Sequence, residues 1–287
     1  MSLVLFTRRY AAELINFTAR YEPRIASRLR SFWLAQGEAL GRREIEYAVM
    51  NKEVPLEWIF AWQDDYARFV HEELDPLWRA AIAKAGGLIA DVVSREIVPF
   101  SFTPTRIQII SWIENRSGTL IRELTDKQVQ AVRDILRHYV IEYPTGPQEL
   151  GRILRSVVGL TSREAMAVAK LRDSLLAEGI SADRVEKQVE KYVRHLHWER
   201  GMRIARTESS YAWNHGEYTA VTEAQEKGIL RGRLLKEWIT AHDELVCPTC
   251  GGMDGEIVEK DQAFSCGVFV PPAHVNCRCT HSYIVEG

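Results

Sequence analysis

The stretch that decides the fold is SADRVEKQVEKYVRHLHWERGMRIARTESSYAWNHGEYTAVTEAQEKG, residues 181–228. Ser181 is a favourable N-cap, and Gly228 is a residue type that commonly ends helices. The segment between them therefore predicts one long helix. Gly201 in its interior costs about 1 kcal/mol relative to Ala, so we expect a bend or a close contact there.

The chain before this helix also has a helical pattern. Thr125-x-x-Gln128 and Thr161-x-x-Glu164 are capping boxes and predict two helix starts. Pro76 is expected to kink or restart a helix. The segment YPTGP at 143–147 combines Pro, Gly and a turn residue, so it is the clearest predicted linker.

After Gly228 the pattern changes to short β-leaning pieces, LLKEWIT, GEIV, FSCGVFV and HSYIV, separated by Gly, Pro and Asp. We therefore predict a mainly α protein with long helices through its first two thirds and a small β-rich C-terminal unit stapled by a Cys/His cluster. The predicted regions are a helical segment at 1–146, a helical core at 147–228 and the β-rich unit at 229–287.

Composition sets the class of protein. The chain has 287 residues, 46% of them hydrophobic, and a formal net charge of -2. These values are ordinary for a folded protein and exclude a largely disordered one. No apolar run approaches the ~20 residues that span a bilayer, so we expect no membrane partner. The N-terminal apolar run is too short for a signal peptide, so we expect synthesis in a cytoplasm.

All five cysteines lie after residue 246, in a segment too small to have a large core. Their spacing is CPTC at 247–250, then HVNCRC at 274–279. Two residues between ligands let one tight turn aim both side chains at a single ion, and two such pairs make a tetrahedral zinc site. The spacing predicts a structural zinc held by Cys247, Cys250, His274 and Cys277, with Cys279 as an alternate ligand.

Two alternatives to this site remain open at the level of sequence. A disulfide such as Cys250–Cys279 gains ground if the protein spends its life outside a cell. A nuclease-like zinc site would need a general base outside the ligand set, and none is evident. Cys266 lies between the two pairs in a strand-like stretch and is interpreted as a small buried hydrophobe.

The segment from Arg152 to Arg206 is locally basic. Its Arg side chains suit either a solvated helix face with i,i+4 pairs, which we favour slightly, or a weak nucleic-acid surface. The residues assigned to weak DNA contact are Arg152, Arg155, Arg163 and Arg172.

Other polar residues have plain structural explanations. We interpret His195 and His197, with His138 and His215, as partly exposed side chains and not as a metal site, because positions i and i+2 of a helix face different sides. We expect Glu208 to pair with a nearby Arg and to lock its helix against the β-rich unit.

Several blocks follow one another in a set order: GLTSREAMAVAKLRDSLLAEGIS, MRIARTESSYAWNHG, WITAHD, CPTC, DGEIV and PPAHVNCRC. Together they resemble the phage head morphogenesis family, the minor head proteins similar to protein F of phage Mu. The resemblance covers roughly 107–285. Its signature positions here are Gly159, Leu160, Thr161, Arg206, Thr207, Glu208, Asn214, Gly216, Trp238, Asp243, Cys247, Cys250, Pro272, His274, Cys277, Arg278 and Cys279.

The resemblance implies a virion protein that acts by binding and is not an enzyme. It would lie inside the head near the portal vertex and serve procapsid assembly, DNA packaging or DNA delivery. Its expected partner is the portal protein, with scaffold protein, major capsid protein and packaged DNA as further candidates. The alternative is a zinc-dependent nuclease or a toxin-like transferase carried in the virion.

Overall fold

The computed structural model describes residues 2–4, 9–142 and 146–286. Its helices are α1 (Arg9–Glu38), α2 (Arg42–Asn51), α3 (Leu56–Phe69), α4 (Asp75–Glu96), α5 (Ile107–Arg137), α6 (Pro147–Val157), α7 (Ser162–Ala177), α8 (Ala182–Glu226) and α9 (Pro248–Met253). Its strands are β1 (Ser2–Val4), β2 (Arg233–Ile239), β3 (Ile257–Glu259) and β4 (Thr280–Glu286). No helix in the described ranges is both long and apolar enough to cross a membrane.

The predicted fold class is confirmed: long helices come first and a small antiparallel sheet lies at the C-terminal end. The strands follow the order β1-β4-β2-β3, with Lys236 of β2 opposite Tyr283 of β4. The expectation that the segment at 1–146 is helical is wrong at its start, because β1 pairs with β4 and covers an edge that would otherwise be open.

One predicted strand is absent. The stretch FSCGVFV forms a turn, in which the amide of Phe264 donates to the carbonyl of Val268 and Gly267 has φ +79°. Positive φ suits glycine, and here it lets the chain reverse. Cys266 lies in this turn and is exposed, so its interpretation as a buried hydrophobe is wrong.

The chain divides into two compact units built from non-consecutive segments. Unit 1 comprises Met1–Pro23, Glu73–Asn115 and Arg203–Gly287, and unit 2 comprises Arg24–Glu72 and Arg116–Met202. Helices α1, α5 and α8 each contribute residues to both units. The division into 1–146, 147–228 and 229–287 is one of sequence pattern and stays a prediction. Residues 143–145 of the predicted linker lie outside the described ranges.

The buried side chain of Gln128 joins two distant segments of unit 2. Its Oε1 accepts hydrogen bonds from the Tyr66 hydroxyl at 2.8 Å and from the Gly159 amide at 3.0 Å. The predicted capping box at Thr125 is therefore wrong: α5 continues through it, and the Thr125 hydroxyl donates to the carbonyl of Ile121. The side-chain amide of Gln128 already accepts from two buried donors, so it is not available to cap the start of a helix.

The second predicted capping box is confirmed. The Thr161 hydroxyl accepts from the amide of Glu164, whose carboxylate accepts from the amide of Thr161, at the start of α7. The long helix α8 is also confirmed, and Gly228 follows it with φ +68°. Gly201 makes a close contact: a methyl carbon added there would lie 2.8 Å from Cα of Ala26.

In unit 1 the sheet packs on α4 and on the last turns of α8. Apolar side chains from these elements form one buried cluster that includes Ile89, Val93, Val221, Leu234 and Tyr283. Burial of this apolar surface is the main stabilising term for the unit. The same packing fixes β4 and the loop before it, which carries the second half of the Cys/His cluster.

Candidate metal centre

The first half of the cluster is built on α9. Cys247 is the N-cap of this short helix, and its Sγ accepts a hydrogen bond from the amide of Cys250 at 3.4 Å. Pro248 occupies the first turn, where backbone amides have no partner within the helix, so its lack of an amide proton costs no hydrogen bond. The two cysteines therefore face the same point from one turn of backbone.

The second half lies in the loop before β4. Asn276 has φ +71°, and the amide of Cys277 donates to the carbonyl of His274 at 3.2 Å. Asn is among the residue types that tolerate this left-handed conformation. The turn brings His274 and Cys277 to the same side of the loop, towards α9.

The side chains of both halves converge. His274 Nε2 lies 3.1 Å from Cys247 Sγ and 3.2 Å from Cys250 Sγ, and Cys250 Sγ lies 3.8 Å from Cys277 Sγ. Two groups of potential ligand atoms result, Cys247–Cys250–His274 and Cys250–Cys277–Cys279, and they share Cys250. The structure thus brings together all five residues that the spacing singled out, and the cluster could hold a metal ion.

This donor set fits zinc. Two thiolates bound tetrahedrally at ~2.3 Å lie about 3.8 Å apart, and a thiolate and an imidazole nitrogen lie about 3.6 Å apart. The separation of Cys250 from Cys277 matches the first value, and the separations from His274 fall within about 0.5 Å of the second. None of the five cysteines, all of which are described, forms a disulfide.

The space among these residues is small. The cavity that they line has a volume of about 20 Å³. One water-sized probe needs roughly 10–15 Å³, so the cavity has room for a single ion.

Hydrogen bonds prepare several of these groups for metal binding. His274 Nδ1 lies 2.9 Å from the carbonyl of Val275, which fixes a proton on Nδ1, leaves Nε2 as the ligand atom and raises the pKa of the imidazole. The backbone amide of Cys250 lowers the pKa of the Cys247 thiol. A hydrogen bond with Cys279 lowers the pKa of Cys277, while burial raises that of Cys250.

Two signature residues, Asp243 and Arg278, hold the loop before α9 against the second half of the cluster. Arg278 binds Asp243 through both guanidinium nitrogens, at 2.6 Å for Nη1 and Oδ2. The pair lowers the pKa of Asp243. Asp243 Oδ1 also accepts from the amide of Leu245. The two-pronged pair therefore ties the segment before Cys247 to the residue after Cys277.

Two signature residues of α8 hold the turn between His274 and Cys277. The Thr207 hydroxyl accepts from the amide of Asn276 at 2.9 Å, and Arg206 Nη1 donates to Asn276 Oδ1 at 2.6 Å. Arg206 also forms a two-pronged pair with buried Glu22. Arg206 thus links α1 and α8 to the loop, much as expected of a locking residue. Glu208 is buried, and its own pairing with an Arg stays a prediction.

A third set of contacts anchors the start of β4. Asn214 donates to the carbonyl of Cys279 and accepts from the hydroxyl of Thr280 at 3.0 Å. The Thr280 hydroxyl also lies 2.8 Å from Glu217 Oε2, and burial raises the pKa of Glu217 to about 8. His281 stands beside them, and burial lowers its pKa to about 3, so it is neutral at ordinary pH. These groups are fully buried between α8 and the sheet.

Two further signature positions have packing roles. Gly216 lets α8 approach α4, because a methyl carbon there would lie 2.7 Å from both Cα and the carbonyl oxygen of Ile82. Trp238 is buried among the cysteines and packs edge-on against Phe264. Gly159, Leu160 and Thr161 lie in the turn before α7 in unit 2, and Pro272 lies in the loop before His274.

The remaining histidines lie outside this cluster. His195 is exposed, whereas His197 is buried with Nε2 2.8 Å from the carbonyl of Val158. His138 is buried 2.7 Å from Asp173, whereas His215 is half-buried and stacks on Trp112. The expectation that these side chains are partly exposed is therefore wrong for His138 and His197, because each has a polar partner in the interior.

The four arginines assigned to DNA contact fall in different environments. Arg152 and Arg163 are exposed, and Arg155 is half-buried. Arg172 is only 4% exposed and pairs with both Glu149 and Glu186. Because two carboxylates already neutralise it, Arg172 is unsuited to bind a phosphate, and its assignment is corrected on this ground.

Several contributors to this centre carry no signal that sequence reasoning could use. Glu22 meets Arg206 from the far end of the chain, and Asn276 and Glu217 become informative only when α8 and the loop are seen together. Their residue types are common at surfaces, so spacing alone does not single them out.

Comparison with known proteins identifies a family. The model of the family described as Phage Mu protein F like protein matches residues 166–282. No curated protein and no solved structure matches. The matched region holds the whole Cys/His cluster and the residues of α8 that clamp it. Over residues 166–282, this match confirms the resemblance to the phage head morphogenesis family that was found in the sequence.

Proposed function

We propose that this protein is a phage minor head protein that acts by binding, on the inner side of the portal. Its family suggests a role in head morphogenesis. The portal contact, and a role in procapsid assembly, DNA packaging or DNA delivery, are the finer parts of the proposal. Scaffold and major capsid proteins are further candidate partners.

The Cys/His cluster and the contacts around it carry the proposal. Most signature residues in the matched region either line the cluster or clamp the loops around it, as Arg206, Thr207 and Arg278 do. A site with four protein ligands and room for one ion has no open position for substrate or activated water. The arrangement therefore favours a structural staple over the alternative of a nuclease or transferase.

We propose zinc as the ion, held by Cys247, Cys250, His274 and Cys277, with Cys279 as alternate ligand. When bound, zinc would supply folding free energy and no chemistry of its own. The surrounding unit needs that contribution, since its own apolar cluster around Trp238 is small and consists largely of the cysteines themselves.

We also propose weak, sequence-independent affinity for packaged DNA through arginines of unit 2, chiefly the exposed Arg152 and Arg163 and the half-buried Arg155. Arginines that neutralise phosphates respond to the charge of DNA and not to its base sequence. Because this binding releases counterions, the affinity should fall steeply as the salt concentration rises.

Complementation of phage that lack the gene tests the function. We expect particles without the protein to fail in assembly, packaging or infection, and we expect the Cys266→Ser variant to restore them. The Cys250→Ser variant should not restore them, because Cys250 belongs to both ligand groups. Normal, infectious particles without the protein would refute the head role. Cleavage of DNA by the purified protein with added metal would replace it with the enzyme alternative.

A further inference from the structure

A cleft between α2 and α6, within unit 2, is lined by three arginines. Its volume is about 280 Å³, and its lining residues are Arg42, Ile45, Glu46, Gln148, Gly151, Arg152 and Arg155. One carboxylate faces three guanidinium groups, so the lining has a net positive charge of two. Two of these arginines, Arg152 and Arg155, belong to the set proposed above for DNA contact, and the cleft gathers them with Arg42 around one point.

The arginines are held in different ways. Arg155 Nη2 donates to the carbonyl of Leu40 at 2.8 Å, which ties one end of its guanidinium to the turn before α2. Arg152 is exposed and lies three residues earlier on the same face of α6. Arg42 pairs with Glu46 at 2.8 Å on the surface of α2. Arg155 is therefore anchored and Arg42 is paired with Glu46, whereas Arg152 is exposed at the surface of the cleft.

Gly151 keeps the cleft open. A methyl carbon there would lie 3.4 Å from Ile45 Cγ2 and 3.6 Å from Arg155 Nη1, so any longer side chain would enter the space beside Arg155. The floor is apolar at Ile45 and the walls are cationic. Planar guanidinium groups bind phosphate oxygens by two parallel hydrogen bonds, and carboxylates compete for the same donors.

We propose that this cleft is a phosphate-binding site, with Arg42, Arg152 and Arg155 as its donors and Glu46 as an internal competitor. The phosphate could belong to the DNA backbone or to a free phosphate compound, and the recognition chemistry is the same. The proposal concerns the purified protein and does not depend on the head role.

The first test measures binding of inorganic pyrophosphate and of a short random-sequence DNA duplex by calorimetry, at several salt concentrations. We expect Arg152→Ala to weaken binding roughly tenfold, since a charge-assisted hydrogen-bonded pair is the interaction removed. For the duplex, the log–log salt slope should become shallower by roughly 0.9 for each phosphate that the variant no longer neutralises. Arg184→Ala, an exposed arginine of the same unit outside the cleft, is the matched control and should change neither quantity.

The second test looks for a gain, which misfolding cannot produce. Glu46→Gln removes the competing carboxylate and releases Arg42, so it should tighten binding several-fold. Glu190→Gln removes an equivalent i,i+4 partner, that of Arg194, away from the cleft and should have no effect.

Comparison of the DNA duplex with pyrophosphate distinguishes the two possible sources of the phosphate group. Changes confined to the duplex would identify the DNA backbone, and changes confined to pyrophosphate would identify a free phosphate compound. Equal affinities in the Arg152 and Arg184 variants, no gain from Glu46→Gln, or no binding of either ligand by the unmodified protein would overturn the proposal.

Discussion

Replacement of Gly216 by alanine tests the close approach of α8 to α4, on which the position of the metal centre depends. The added methyl carbon would lie 2.7 Å from Cα and the carbonyl oxygen of Ile82, which are backbone atoms and cannot rotate away. Gly→Ala in a helix interior gains about 1 kcal/mol from propensity. Overpacking that forces backbone shifts costs about 1–3 kcal/mol. We therefore expect a net loss of up to about 2 kcal/mol in the free energy of unfolding.

Gly118→Ala is the matched control. Gly118 lies in α5, is exposed, and a methyl carbon there would meet nothing within 4 Å. It should keep the propensity gain, so the two variants should change stability in opposite directions and differ by about 1–3 kcal/mol. Thermal unfolding followed by circular dichroism resolves this, since 1 kcal/mol corresponds to roughly 2–4 °C for chains of this size class. Equal Tm values for the two variants would refute the close packing of α8 on α4.

The other predictions concern the cluster and two buried polar groups. Cys250→Ser should abolish binding of one equivalent of zinc, measured by elemental analysis, whereas exposed Cys266→Ser should retain it; zinc-free unmodified protein would contradict the site. Glu217 has a pKa raised to about 8 by burial, so its stabilising contribution is complete below its unfolded value of 4.5 and is lost as pH rises through 8. Denaturation between pH 5 and 8 should therefore show the unmodified protein losing roughly 1 kcal/mol per pH unit relative to Glu217→Gln, and parallel curves would refute this. Gln128→Leu leaves two buried donors unpaired and should cost about 2–5 kcal/mol, against less than about 0.5 kcal/mol for exposed Gln130→Leu; similar unfolding midpoints would contradict the buried network.

Sequence patterns predicted the structure correctly where it depends on contacts between residues close together in the chain. The capping box at Thr161, the stop at Gly228 and the paired CPTC and HVNC spacings all depend on residues within one or two turns, and the structure contains each of them. The order of long helices before a small sheet follows from the same kind of evidence.

The predictions were wrong where contacts between residues distant in the sequence determine the structure. Thr125-x-x-Gln128 has a capping pattern, yet Gln128 serves Tyr66 and Gly159, which lie far away in sequence. Cys266 lies in a stretch with strand composition, but no neighbouring strand in the described part of the chain is placed to pair with it, and the turn at Gly267 leaves it exposed. Pairing of β1 with β4 joins the two ends of the chain, and no local pattern reports such a contact.

The clamp around the metal centre shows the same limit. The family signature identified Arg206 and Thr207, but their partners Glu22 and Asn276 emerged only from the structure. A short motif can thus point to important side chains without revealing what they hold. Here they hold the turn that aims His274 and Cys277.

The most direct test of the central claim is the location of this chain in intact particles. Cryo-electron microscopy of purified virions, reconstructed at the portal vertex without imposed capsid symmetry, would show it. We predict density for the α8 helix and its Cys/His unit on the inner face of the portal, and loss of that density from particles made without the gene. Absence of the chain from purified particles, or its location on the outer surface of the capsid, would contradict the proposed role.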